Sequence, residues 1–213
     1  MMALFLSAFV TLFVVIDPPG CAPIFASLTN GASGAQRRTM AIRSTIIAAV
    51  LLLLFALVGE KLLATLGISL DAFRIAGGIM LFLIALEMVF EKRTERREER
   101  ADEISRKAAE EQRPVEDISV FPMAIPMIAG PGSIATVMLL VSRSHGIDQT
   151  LIVLAALAAV LFLTVAALLA AGPIMRVLGP KLEAMITRVL GVLLAALAAQ
   201  FIIDGITAAF RLG

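Results

Sequence analysis

Ile16-Asp17-Pro18-Pro19-Gly20 and Ile128-Ala129-Gly130-Pro131-Gly132 both stand inside long apolar segments, 112 residues apart. Proline lacks an N–H and its ring crowds the preceding turn, while glycine frees the backbone. Each motif should therefore interrupt a helix. The surrounding runs are far longer than the alternating segments of a barrel strand. They suit helices of about 20 apolar residues, the length that crosses a bilayer. A break in lipid leaves N–H and C=O groups dry, and each is costly without a partner. Such a break persists only where it lines a cavity or is covered by protein.

Outward from the two breaks, the apolar runs give six spans: 2–29, 42–66, 72–90, 118–141, 150–178 and 182–210. The expected fold is an all-α membrane protein with its first and fourth helices broken at Pro/Gly. Of 213 residues, 60% are hydrophobic, above the 45–50% or so of soluble domains. Eighteen charged residues crowd into the 27 from Glu91 to Asp117. Three regions follow: repeat one at 1–90, a charged cytoplasmic linker at 91–117 and repeat two at 118–213. Four-residue spacings such as Asp102 with Arg106 suit a solvated helix in the linker.

Charge sets the orientation. Fourteen of the eighteen Lys and Arg fall on the side of loops one–two, three–four and five–six. The positive-inside rule puts that side in the cytoplasm and both termini outside. No basic residue precedes Arg37, so the first apolar run lacks the basic flank of a signal peptide and reads as a retained span. A net charge of +1 gives nucleic-acid binding no electrostatic support. One Cys and one His exclude an internal disulfide and speak against structural zinc.

The halves repeat. Leu66-Gly67 matches Leu178-Gly179 at the offset of the breaks, and Arg74-Ile75-Ala76-Gly77 matches Arg188-Val189-Leu190-Gly191 two residues later. Three spans per half is an odd number, so the second half should enter the membrane from the opposite side. Two inverted three-helix repeats of this kind place a ligand near the midplane, between discontinuous helices. Freed helix N-termini suit a carboxylate and freed carbonyls suit a cation.

The candidate substrate-binding residues are accordingly Asp17, Pro19, Gly20, Cys21, Gly130, Pro131, Gly132 and Ser133. Asp17 is either a cation or proton ligand or a cap on the following helix. Ser133 can donate to a ligand or to backbone. Arg74 and Arg188, at equivalent third spans, are expected as gates or lipid anchors, with Glu60 and Glu183 as candidate partners. Leucine at Gly20 and Gly132 is expected to stop transport without preventing insertion.

The segments 16–25, 72–79, 125–134 and 200–206 resemble the MarC family of multi-pass membrane proteins, most specifically in Gly130-Pro131-Gly132-Ser133. The likeness covers the chain except the charged linker. It implies six spans, a prokaryotic cell membrane and a link to transport of small neutral amino acids. Where that family often carries a polar residue, commonly Asn, this chain has Cys21.

The expected function is a secondary transporter or exporter of a glycine- or alanine-like amino acid, its two halves rocking about the midplane. No G-x-x-x-x-G-K-[ST] occurs, which leaves a proton or sodium gradient as the energy source and no other cofactor. No enzymatic activity is expected, since no Ser–His or metal motif accompanies the acids. The alternative is a scaffold or receptor that works through the charged loop. The expected partners are the amino acid and the bilayer.

Overall fold

The computed structural model describes residues 1–90 and 117–210, and the side chains of 173–184 stand outside the description. The expected linker helix lies outside the described residues, apart from Asp117. The elements are α1 (Met2–Ile16), α2 (Pro18–Leu28), α3 (Gly34–Thr65), α4 (Leu70–Val89), α5 (Ser119–Ile128), α6 (Pro131–Ser142), α7 (Ile147–Leu169) and α8 (Ala171–Phe210). Among the described residues there is no strand.

Five stretches are long and apolar enough to cross a membrane, and the bent pair α5–α6 makes a sixth if counted as one span. Its contacts support that count. Asp117, just before α5, pairs with Arg43 near the start of α3. Met138 of α6 lies over Gly59. The two contacts are about 24 Å apart along α3 at 1.5 Å per residue. The bent pair thus traverses most of an apolar layer rather than turning back. Pre-proline residues disfavour helical geometry, and Phe121 and Ile125 are indeed extended within α5. Its turns are of the wide π type, and the axis bends by 53° into α6.

One span boundary differs from expectation. The fifth span ends at Leu169 rather than near 178, and α8 runs unbroken from Ala171. Gly172-Pro173 explains this. Proline is readily accommodated in the first turn of a helix, and α8 opens there. Leu178-Gly179 therefore lies inside a helix, whereas Leu66-Gly67 ends one, with Gly67 at φ 71.

Small residues are frequent where helices approach closely, as in other membrane bundles, among larger buried side chains such as Phe25, Leu12 and Met88. On α3 the buried face is Met40, Ala41, Ser44, Thr45, Ala48, Leu52, Ala56, Gly59 and Leu63. Its exposed face carries Ile46, Val50, Leu54, Leu57 and Leu62. Ser44 and Thr45 settle their hydroxyls on the carbonyl of Ala41. Glycines admit α6 between its neighbours, with Gly59 of α3 against Met138 and Gly77 of α4 against Leu139.

The third spans of the two halves, α4 and α8, pack antiparallel. Gly78 lies against Ala198 and Ile202, Gly191 against Ala85 and Met88, and Gly205 against Asp71 and Ile75. Two large buried clusters result, beside a small one of Ala8, Val153 and Ala156 between α1 and α7. One joins α2, α3, α5 and α7 with parts of α1 and α6. The other joins α4 and α8 to Val14, Val15 and Leu139. Each cluster combines spans from both halves of the sequence.

Candidate functional site

The first break is a one-residue hinge. Asp17 adopts a left-handed conformation (φ 58), in which its N–H still reaches the carbonyl of Phe13. Helix α2 starts at once with Pro18 and Pro19, which have no N–H to satisfy. The next donor, the N–H of Gly20, goes to Asp17 Oδ1 at 3.1 Å, and that of Cys21 to the Asp17 carbonyl at 3.0 Å. Every donor in this first turn is thus served locally. The Cys21 thiol is directed at the carbonyl of Ile16, at 3.5 Å. Of the two roles open to Asp17 in the sequence, capping is the one its hydrogen bond displays. It also explains Gly20, because a Cβ there would stand 2.2 Å from Asp17 Oδ2.

The second break is different. Gly130 precedes α6 in an extended conformation and no side chain caps the helix. Pro131 again brings no N–H. The first intrahelical bond runs from the N–H of Ile134 to the Gly130 carbonyl. The N–H groups of Gly132 and Ser133 have no partner among the described residues. Both residues are buried, Ser133 at 3% exposure. One turn on, Thr136 is fully buried and its Oγ1 has no hydrogen-bond partner. Four residues on from Gly132, Thr136 stands on the same helix face as that glycine. A buried polar group without a partner costs about 1–3 kcal/mol, and here three of them gather at the positive end of one helix dipole.

The two breaks meet. A Cβ at Gly132 would lie 3.5 Å from Val15 Cγ1, two residues before the hinge at Asp17, and 2.6 Å from Ile84 Cδ1. The negative end of α1 therefore stands beside the positive start of α6. Ile84 and Leu81 of α4 fill the space over Gly132, so the two helix ends are covered by α4 and packed against one another. Leucine at Gly20 or Gly132 would disturb the cap or this packing. It tests the fold as much as the site.

Of the eight residues expected from the sequence, Asp17, Gly20, Cys21, Gly130, Gly132 and Ser133 are buried, Pro19 is half-buried and Pro131 is exposed. Arg74 pairs at 3.0 Å with Asp71, not with Glu60, because the three-residue spacing puts them on one helix face. Arg188 is exposed within α8. Near the far end of α8, Gln200 donates to Asp204 at 2.6 Å, as their four-residue spacing suggests. Asp204 also pairs with Arg143 at the end of α6, whose guanidinium lies 4.6 Å from the ring centre of Phe201. Thr136 and Arg143 were not legible as site residues. Their signals, a threonine one turn past Gly-Pro-Gly and a lone arginine in a short loop, gain meaning only from their neighbours in space. Among the described residues no cluster suited to a metal ion occurs.

The fold and site define a polytopic all-helical membrane protein whose first and fourth spans are discontinuous. The family model for MarC family integral membrane proteins matches residues 2–210. The chain belongs to the MarC family. Its relatives include UPF0056 membrane proteins of Methanocaldococcus jannaschii, 37% identical over 96% of this chain and 97% of the relative, and of Archaeoglobus fulgidus, 35% identical over 96% and 93%. Another is YvbG of Bacillus subtilis, 35% identical over 99% and 97%. No solved structure matches the chain.

Proposed function

We propose that this protein is a secondary transporter that carries a small neutral amino acid across the cell membrane. The observation that carries the reading is the uncapped, buried start of α6, with the N–H groups of Gly132 and Ser133 and the hydroxyl of Thr136. These donors suit a carboxylate. The end of α1, with the carboxylate of Asp17 beside it, suits an ammonium group. A zwitterion offers both charges a few ångströms apart, and little space stands between the helix ends for a side chain. Glycine and alanine fit that requirement. The transporter is not an enzyme, and a proton or sodium gradient drives it. Both termini face outward in this reading, which the distribution of basic residues supports.

The antiparallel contacts of α4 with α8 support the inverted repeat. Shifting Gly78–Ile202 by the 114-residue offset gives Met88–Val192, next to the contact of Met88 with Gly191. The two buried clusters favour a particular moving unit. The pair α4–α8 would shift against the other spans and carry Ile84 off Gly132, rather than one sequence half rocking against the other.

The test is thermal unfolding of the purified protein with glycine, acetate and methylammonium. Glycine should stabilise at concentrations where the two singly charged fragments do not. Equal stabilisation by acetate would remove the ammonium contact from the reading, and no stabilisation by any amino acid would overturn it.

A further inference from the structure

At the membrane edge where α2 and α7 end and α3 and α8 begin lies a cleft of about 430 Å³. We infer that it binds the phosphodiester headgroup of an anionic glycerophospholipid, with Arg37 and Arg38 on the phosphate and Leu168 and Leu169 along the start of an acyl chain.

Four observations converge on that ligand. Among the described residues Arg37 and Arg38 line the cleft, no acid does, and neither arginine enters an ion pair. The side chain of Arg37 is anchored, its Nε donating to the Thr29 carbonyl at 3.1 Å, so its charge is held at the cleft without much loss of freedom on binding. Gly34 and Gly172 also line the cleft, and a Cβ on either would meet nothing within 4 Å. Neither has a positive φ. Every other described glycine within a helix abuts a neighbour, so these two serve neither packing nor a turn, and what they leave is room. Finally, the cleft sits at helix ends on the side carrying most of the basic residues, the depth of the headgroups. Basic pockets between spans on that side suit anionic headgroups. A free phosphate would have no use for the apolar surface of Leu168 and Leu169.

The site is independent of the solute site, so its test stands or falls alone. The full-length protein in phosphatidylcholine nanodiscs is titrated with phosphatidylglycerol, and thermal unfolding and lipid retention in native mass spectrometry are read. Phosphatidylglycerol should raise the unfolding temperature and co-purify. Arg37→Gln with Arg38→Gln should weaken retention by about fivefold per arginine. Gly172→Leu, which fills the cleft and removes no charge, should lose the lipid effect while unfolding at the wild-type temperature in phosphatidylcholine alone. Equal retention of the two lipids, or retention unchanged in both variants, overturns the inference. So does equal stabilisation by millimolar inorganic phosphate, which would make the cleft a site for free anions.

Discussion

Thr136 separates structure from function more cleanly than any other residue in the chain. Its buried hydroxyl has no partner, so valine, of nearly the same shape, should stabilise the fold by about 1 kcal/mol. The same change should abolish stabilisation by glycine. Chemical or thermal unfolding with and without glycine checks both halves. Asp17 behaves oppositely. Alanine removes the cap and should cost about 1 kcal/mol, with a further penalty from its left-handed backbone. Asparagine accepts the same hydrogen bond and tolerates that conformation, so Asp17→Asn should unfold close to the wild type. A third residue gives a pH dependence. The hydroxyl and N–H of Ser119, and then Arg43, hold the carboxyl of Asp117 below the usual carboxylate range. A depressed value means stability that is present above the unfolded pKa and lost as pH falls through the folded one. Unfolding temperature should therefore fall on acidification below about pH 4, and the Asp117→Asn variant should lack that part of the decline. The effect is small, because the pair is about half exposed to solvent.

At the scale of elements, composition made the spans legible. A run of apolar residues long enough to cross a bilayer has few other uses. Proline and glycine likewise marked both breaks to the residue: helix α2 starts at Pro18 and α6 at Pro131. The character of each break was not legible. Both motifs read alike as letters, yet Asp17 caps the first, whereas Ala129 and Gly130 leave the second without a side chain able to do so. The boundary between α7 and α8 was misplaced because apolar residues continue past Gly172-Pro173, where a new helix has already begun. The link between Arg143, Asp204 and Phe201 joins residues 58 to 61 apart in sequence, and no local pattern announces it. It ties α6 to the end of α8, opposite the lipid cleft. If α8 shifts during transport, fixing that link should stop it. Cysteines at Arg143 and Asp204, in a Cys21→Ser background, should block solute flux when oxidised and restore it on reduction. Flux that persists through the cross-link would remove α8 from the moving unit.

For the whole molecule, the division into two buried clusters carries a mechanical consequence. Packed interfaces switch between discrete arrangements more readily than they deform, and under the proposed function the interface over Gly132 is the one a solute would enter. Spin labels at Leu83 and Leu54, both on exposed faces of α4 and α3, should change separation when glycine is added. Labels at Leu83 and Val192, within the α4–α8 pair, should not. The most direct measurement is uptake of labelled glycine or alanine into proteoliposomes under an imposed proton or sodium gradient, wild type beside Thr136→Val. Saturable uptake by the wild type and its loss in a variant that unfolds no earlier is the expected result. No uptake and no thermal stabilisation by any amino acid, or undiminished uptake by the variant, would contradict the assignment of the solute to the open end of α6.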